Sequence, residues 1–236
     1  MTRHRPMIPK QISDLQRVLL EEGFYDGALD GIWGPKSHAA MEAATAAIKL
    51  RQECTLPQDA HIPGSRPMAW GSRVSKVFRD RVRWIANDLE IDVDWLMACM
   101  AFESAETFDA GIRNGAGSGA VGLIQFMPKT AEELGTTAYV LARMSAEDQL
   151  NYVYKYFRPY RGRLRTLSDV YMAILWPAAI GKPESHVLWT SNTRPTTYRQ
   201  NAGLDADKDL RITKEEAASK VAAKLRKGQN PDIALA

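Results

Sequence analysis

The chain has 236 residues, of which 45% are hydrophobic and 25% are charged, and it carries a net charge of +3. This composition is ordinary for a globular protein, and the chain has no internal repeat and no low-complexity tract. Its mild basicity suits an anionic polymer without requiring one. Cys54 and Cys99 are too few for a disulfide scaffold, so we expect two free thiols and synthesis in a reducing compartment.

The N-terminal part predicts a small helical module. Residues 13 to 22 form a first helix, and residues 36 to 50 form a second, alanine-rich one. Between them, Gly23 to Pro35 is rich in turn-forming and aromatic residues.

This module contains four short motifs: Leu15-Gln16, Gly23-Phe24-Tyr25, Asp30-Gly31 and Gly34-Pro35. In them the chain resembles the peptidoglycan-binding domain of many cell-wall hydrolases, which implies such a domain over residues 1–56. Tyr25, Asp30 and Trp33 are its candidates for glycan contact, because aromatic rings stack on sugars and carboxylates bind hydroxyls. The alternative is a helical hairpin that only packs on its neighbour, with these side chains in its core.

A second domain is predicted after a linker. Residues 57–73 are rich in proline and glycine, which is typical of linkers, and residues 74–236 then form the larger domain. Its first helix, from Val77 to about Glu90, carries three arginines on one side, which we interpret as a solvent-facing surface: Arg79, Arg81 and Arg83.

A glutamate on an apolar helix is the first candidate for chemistry. At about 100° per residue, Leu96, Cys99, Met100 and Glu103 fall on one helical face. A carboxylate there is costly unless it is neutral or paired, and burial raises a carboxyl pKa, as a general acid requires. The alternative is a helix end that turns into solvent.

A glycine-rich segment follows Glu103, and a helix is predicted from Pro128 to about Gly135. Glu103-Ser104 and the later run from Gly119 to Ala131 (GAVGLIQFMPKTA) resemble the catalytic signature of goose-type lysozymes and soluble lytic transglycosylases. With Phe126 before Met-Pro, the run looks most like phage endolysins of this superfamily.

This resemblance implies a mainly α-helical protein, with a small wall-binding domain followed by a lysozyme-like catalytic domain. It implies peptidoglycan as the substrate, host cell lysis as the role, Glu103 as the catalytic acid and no cofactor for catalysis. Trp176-Pro177 stand where this family usually has Tyr-Asn, so the tyrosine's role passes to Tyr171. The substrate-binding candidates are Ser104, Ser118, Gln125, Met127, Tyr171 and Trp176.

The carboxylates leave two enzymatic mechanisms open. Transglycosylases manage with Glu103 alone, since a sugar hydroxyl serves as the nucleophile. A hydrolytic muramidase would need Glu106 or Asp109 to activate water, at a separation that depends on whether it retains or inverts. The third alternative is a non-catalytic wall-binding or virion structural protein.

An acidic segment near the C-terminus resembles the calcium loop of EF-hands. Asp205, Asp207, Asp209 and Glu216 occupy positions one, three, five and twelve, and Arg211 offers a backbone carbonyl. Position six, usually glycine, is Leu210, and a branched side chain resists the positive φ needed there. A capping box from Thr213 to Glu216 before a final helix is the alternative that needs no metal.

The predicted final helix, from Ala217 to Leu225, places three lysines on one face: Lys220, Lys224 and Lys227. Such a face can contact an anionic membrane, but a solvated surface is the interpretation that we favour. We expect a monomer that binds no nucleic acid. No signal peptide or membrane span is found, so the expected location is the host cytoplasm, with access to the cell wall through a partner pore.

Overall fold

The computed structural model describes residues 7–53, 66–115 and 117–235. Over these ranges the chain has ten α-helices and one two-stranded antiparallel sheet, which confirms the prediction of a mainly α fold. Cys54 and most of the predicted linker lie outside them. The elements are α1 (Pro9–Glu21), α2 (Pro35–Glu53), α3 (Lys76–Leu89), α4 (Val93–Glu103), α5 (Pro128–Glu133), α6 (Ala138–Leu141), α7 (Ala146–Phe157), α8 (Leu167–Leu175), β1 (Val187–Thr190), α9 (Pro195–Asn201), β2 (Arg211–Thr213) and α10 (Lys214–Gly228).

Helices α1 and α2 form the N-terminal module around a small core of four buried side chains: Leu19, Tyr25, Ala40 and Ala44. Gln16, which is fully buried, connects the module internally. Its amide nitrogen lies 3.2 Å from the Tyr25 hydroxyl and 3.0 Å from a carboxylate oxygen of Asp30. Its amide oxygen accepts a hydrogen bond from the Gly31 N–H at 3.1 Å. A buried glutamine therefore holds the Asp-Gly loop against the first helix.

The end of the predicted linker belongs to the core of the larger domain, so the predicted boundary was wrong. Met68, Ala69 and Trp70 are almost completely buried. Met68 pairs with Leu235 through backbone hydrogen bonds in both directions, and the Trp70 N–H donates to the Gly228 carbonyl at 3.0 Å. Proline and glycine mark this segment as irregular, but its partners lie at the other end of the domain.

Helix α4 lies at the centre of the larger domain, and α3, α8 and α10 pack against it. All six residues from Leu96 to Ala101 are fully buried, because this helix is apolar on every side rather than on one stripe. Cys99 is a free thiol in this core, as predicted. The middle of α4 carries no charged side chain, so the charged groups of this helix lie near its ends.

The arginine face of α3 is not solvent-facing as predicted. Arg83 is only 9% exposed and donates to the Arg66 carbonyl at 3.1 Å. Arg81 donates to the Glu147 carbonyl, and Arg79 to the Val74 carbonyl. These guanidinium groups tie α3 to the segments around it, since their long stems pack while the charged ends bond carbonyls.

The capping box of α10 is confirmed: Thr213 and Glu216 each bond the other's backbone N–H. The basic face of α10 is partly occupied within the protein, because Lys224 and Lys227 both form ion pairs with Glu106 at 2.5 Å. In the part of the chain that the structure describes, no helix combines the length and apolarity that a membrane span requires.

Candidate active site

Glu103 is the last residue of α4, and its side chain is half-buried at the end of the apolar helix. Its carboxyl group forms no hydrogen bond or ion pair with any other described residue. Burial raises the pKa of Glu103 from its ordinary value of 4.5 to about 7. The group can therefore hold a proton near neutral pH and release it again, which is what general acid–base chemistry requires.

Two tyrosines lie close enough to Glu103 to interact with it electrostatically, Tyr156 on α7 and Tyr171 on α8. Burial raises the pKa of both phenols, so both remain neutral. The Tyr156 hydroxyl donates to the Ala173 carbonyl at 2.7 Å. The Tyr171 ring meets Phe102 edge-on at 5.6 Å. Glu103 thus has neutral phenol groups from both α7 and α8 within electrostatic range.

The chain after Glu103 contains several residues in the left-handed region, where side chains are disfavoured. Ala105, Glu106, Phe108 and Gln125 have φ between 51° and 69°. Each such residue costs about 1 kcal/mol or more, and the surrounding contacts must impose it. Backbone strain of this kind concentrates at functional sites, and here it lies on the segment that borders Glu103.

Gln125 belongs to a small pleated unit within the glycine-rich segment. Val121 bridges to both Arg113 and Phe126 in antiparallel fashion. The Gln125 amide donates to the Gly122 carbonyl at 3.2 Å, and the neighbouring Phe126 ring packs on Tyr156 at 6.2 Å. Tyr156 therefore packs on the residue next to Gln125 and also interacts electrostatically with Glu103.

Gln149 on α7 fixes the position of this segment. It is completely buried; its amide oxygen accepts from the Leu123 N–H at 2.7 Å, and its amide nitrogen donates to the Ala110 carbonyl at 3.1 Å. A Cβ atom at Gly122, which has φ of +81°, would clash with the Gln149 amide. Glycine is required there because the backbone must pass directly over a buried side chain.

Three further residues that were predicted to bind substrate differ in their surroundings. Ser104 is fully buried, and its hydroxyl accepts a hydrogen bond from the Phe108 N–H at 3.0 Å, so it supports the turn and is not placed to contact a substrate. Ser118 is exposed, and its hydroxyl accepts from the Ala120 N–H at 3.3 Å. Met127 is 47% exposed at the start of α5 and is available to an external ligand.

Trp176 ends α8 with a half-buried indole. Its ring meets the buried Trp189 ring edge-on at 5.4 Å, and the Arg194 guanidinium lies over it at 5.1 Å. The second indole and the cation hold the Trp176 ring in place, because cation–π and edge-to-face contacts both favour a fixed orientation. An indole fixed in this way and still partly exposed is suited to contact a sugar.

Neither carboxylate proposed for water activation resembles Glu103. The hydrogen bonds from Lys224 and Lys227 lower the pKa of Glu106, so it remains ionised and paired. Asp109 is exposed and accepts a hydrogen bond from the Gly111 N–H at 2.7 Å, within its own turn. Glu103, whose pKa is raised, is therefore the candidate acid at this end of α4.

The glycan-contact candidates of the N-terminal module separate into buried and accessible groups. Tyr25 is only 4% exposed and donates to the Ala28 carbonyl, so the prediction that it contacts glycan was wrong and the core alternative holds. Asp30 is exposed, but hydrogen bonds from Gln16 and the Ile32 N–H lower its pKa and fix its carboxylate. Trp33 is half-buried, edge-on to His38 at 5.6 Å. A cavity of about 250 Å³ lies beside Asp30.

The acidic segment brings its aspartates together. One carboxylate oxygen from each of Asp205, Asp207 and Asp209 lies within 4.8 Å of the other two. Glu216 caps α10, and Arg211, with an exposed side chain, begins β2. The acidic cluster does not include Glu103, so it is a candidate site of its own.

The sequence analysis missed two residues of the Glu103 environment, Tyr156 and Gln149. A signal for Gln149 was present, because it shares a face of α7 with the apolar Val153 and Phe157 at intervals of four residues. A polar residue on such a face is expected to be buried and fully hydrogen-bonded. Tyr156 carried no comparable signal, since its aromatic neighbours on α7 resemble it.

No protein-family model matches the chain, and no curated protein matches it at a significant level. The resemblance to lytic transglycosylases therefore remains a prediction drawn from the motifs. The geometry contributes independently of it a half-buried carboxyl group with a raised pKa, set among neutral aromatic residues at the end of a buried helix.

Proposed function

We propose that the protein cleaves the β-1,4 bond between N-acetylmuramic acid and N-acetylglucosamine in peptidoglycan, with Glu103 as its sole acid–base. The observation that carries this proposal is the Glu103 carboxyl group. It is half-buried, has no hydrogen-bonding partner among the described residues, and has a pKa of about 7. A carboxyl group in this state can donate a proton to a glycosidic oxygen near neutral pH.

In the first step Glu103 donates its proton to the bridging oxygen, and the bond from that oxygen to C1 of the muramoyl residue breaks. The departing N-acetylglucosamine leaves with a free 4-hydroxyl group. Glu103 is then an unpaired carboxylate in an apolar setting. That state is costly and favours the return of a proton.

In the second step the muramoyl 6-hydroxyl attacks C1 and passes its proton to Glu103. The C1–O6 bond forms a 1,6-anhydro ring, and the enzyme returns to its starting state without consuming water. An intramolecular nucleophile has a high effective concentration, so no second carboxylate is needed to hold a water molecule. The engagement of Glu106 by two lysines supports this route over hydrolysis.

We assign the other candidate side chains to sugar contact, to substrate orientation and to the neutral environment of Glu103. Trp176 and Met127 offer exposed apolar surface for the sugar rings. Gln125 is held at a fixed position by its strained backbone and its hydrogen bond to Gly122, and it orients the substrate's polar groups. Tyr156 and Tyr171 keep the environment of Glu103 neutral.

The choice of peptidoglycan rests on the motifs of both parts of the chain. In the N-terminal module, Trp33 and the cavity beside Asp30 are the surfaces we assign to glycan. Lysis of a bacterial host by a phage enzyme is the role that fits this combination.

The test is mass spectrometry of the sugars released from purified peptidoglycan by the full chain. We expect products that end in 1,6-anhydro-muramic acid, lighter by one water than hydrolytic products. Glu103→Gln should reduce release by about 10²–10⁴-fold, which is the usual contribution of a general acid–base. Glu106→Gln is the matched control three residues away and should retain activity.

Other products would change the proposal. Reducing-end muramic acid that carries solvent oxygen would mean hydrolysis, and the acid–base assignment would need a second carboxylate. No release from a protein that still binds cell walls would identify a non-catalytic wall-binding protein. Near-full activity of Glu103→Gln would remove Glu103 from the mechanism.

A further inference from the structure

The segment from Asp205 to Glu216 is an oxygen-rich loop between α9 and β2. One carboxylate oxygen from each of Asp205, Asp207 and Asp209 lies within 4.8 Å of the others. Three negative charges at this separation repel one another. Part of the charge is stabilised, because Asp207 accepts a hydrogen bond from the Asp209 N–H and Asp209 accepts one from the Arg211 N–H. A cation at their centre would turn this repulsion into attraction.

One carboxylate oxygen of Asp205 is unsatisfied, which is a separate indication that the loop binds a ligand. The residue is only 8% exposed. Its Oδ2 atom accepts hydrogen bonds from the Tyr198 hydroxyl at 2.6 Å and from the Leu210 N–H at 3.1 Å. Its Oδ1 atom is buried and accepts no hydrogen bond from any described residue. Leaving a buried carboxylate oxygen without a partner is costly, and a bound cation removes that cost.

The backbone of the loop adopts the turn that the sequence placed in doubt. Leu210 has φ of 68° and Lys208 has φ of 62°, both in the left-handed region. The Leu210 side chain is 55% exposed and meets no obstacle that would prevent this conformation. Leucine therefore accepts the strain at position six, and the objection to a metal loop does not hold.

Glu216 joins the end of the loop to its beginning. Its Oε2 atom accepts from the Thr213 N–H at 2.9 Å, as a capping residue does, while its Oε1 atom accepts from the Ala206 N–H at 3.1 Å. The second bond is not part of a capping box. The Thr213 hydroxyl also donates to Oε2, at 2.8 Å. A carboxylate has about four lone-pair positions, so these three hydrogen bonds leave Glu216 one position for a cation.

From these contacts we infer that the loop binds one calcium ion through the carboxylates of Asp205, Asp207, Asp209 and Glu216 and the backbone carbonyl of Arg211. Calcium accepts six to eight oxygen ligands in a flexible geometry, whereas magnesium requires a near-ideal octahedron. An exposed, strained loop of this kind fits the weaker range of such sites, with a Kd of about 10⁻⁵–10⁻³ M.

The ion would support the wall of the candidate active site. The loop leads into β2, where Ile212 pairs with Trp189 of β1. The Trp189 ring packs on Trp176 at 5.4 Å. Calcium would therefore stiffen the sheet on which Trp176 rests, in a structural role that is independent of the proposed cleavage reaction.

The first experiment titrates terbium into the full chain and follows its luminescence. Tyr198 bonds Asp205 directly and serves as the sensitiser. We expect a saturable signal that calcium displaces and magnesium at the same concentration does not. In a thermal scan, calcium well above its Kd should raise Tm by about 5 °C, because it binds only the folded state.

The test variant is the double substitution Asp207→Asn and Asp209→Asn. Both residues are exposed, and asparagine retains the side-chain oxygen that accepts the loop hydrogen bonds, so the fold should be preserved. The matched control is Asp232→Asn, an exposed acid outside the loop. Loss of the terbium signal and of the Tm shift in the double variant alone would support the site. An equal signal in the double variant, or terbium that calcium does not displace, would overturn it.

Discussion

Two carboxyl groups that lie off the surface of the larger domain behave in opposite ways. Burial raises the pKa of Glu103 at the end of α4, where no described residue pairs with it. Burial acts on Asp169 at the start of α8 in the same direction. There, however, hydrogen bonds from Lys214 and from the N–H groups of Gly181 and Arg165 outweigh it and leave the pKa lowered. The difference lies in the partners rather than in the residue type.

The comparison separates a structural acid from a reactive one. Lys214 is 1% exposed, and its ammonium lies 2.6 Å from Asp169 and 2.8 Å from the Lys182 carbonyl. That pair joins α8 to α10, and the lowered pKa of Asp169 keeps its carboxyl group ionised at neutral pH. Glu103 lacks such a partner, and the same environment therefore leaves it able to exchange a proton.

The largest expected effect comes from removing the partner of Asp169. Lys214→Met leaves a buried, uncompensated carboxylate, and we expect the free energy of unfolding to fall by about 3–5 kcal/mol at neutral pH. Urea denaturation measures it. The double variant Lys214→Met, Asp169→Asn should recover part of the loss. A single-variant loss below about 1 kcal/mol would show that the pair does not hold α8 to α10.

The next effect is the pH dependence of stability at Glu103. Because the folded pKa of about 7 exceeds the ordinary 4.5, the unfolded state loses its proton first as pH rises. Stability is therefore full below pH 4.5, falls between pH 4.5 and 7, and remains low above it, by about 3 kcal/mol in all.

Glu103→Gln removes this dependence. Relative to wild type, the variant should gain that contribution of about 3 kcal/mol as pH rises from 4.5 to 8, since glutamine does not ionise. Urea denaturation of both proteins at several pH values isolates the contribution, because all other groups titrate alike in the two. Parallel stability curves would contradict the raised pKa.

The smallest effect concerns Glu106, three residues from Glu103. Its lysine partners are partly exposed, with side-chain exposures of 30% and 51%, so Glu106→Gln should cost only about 0.5–1 kcal/mol, and less at high salt. Denaturation in low-salt and high-salt buffer measures this. A cost that does not change with salt would mean that the contact is not mainly electrostatic.

Local patterns were sufficient to predict several helices, among them α4, α5 and α10, whereas α6 to α9 were not predicted. The apolar run of α4 and its final glutamate, the proline at the start of α5, and the capping box of Thr213 and Glu216 all depend on neighbours within a turn or two. Glu103 was found for the same reason, because an acid on an apolar helix is visible in the sequence alone.

Contacts between distant residues could not be predicted in this way. Trp70 is buried because Lys224 and Gly228, more than 150 positions away, bond its ring and its backbone. The Asp169–Lys214 pair spans 45 positions. Nothing in the periodicity of either segment identifies its partner. The sequence of α10 likewise did not predict that its lysines form ion pairs with Glu106.

The pairing of Met68 with Leu235 also has a consequence for protein engineering. Backbone hydrogen bonds in both directions join these residues. The first and last segments of the larger domain therefore lie side by side. Units whose ends meet in this way tolerate circular permutation and insertion into other proteins. A fusion partner attached ahead of Arg66, which is exposed, would therefore join the larger domain at its surface without crossing its interior.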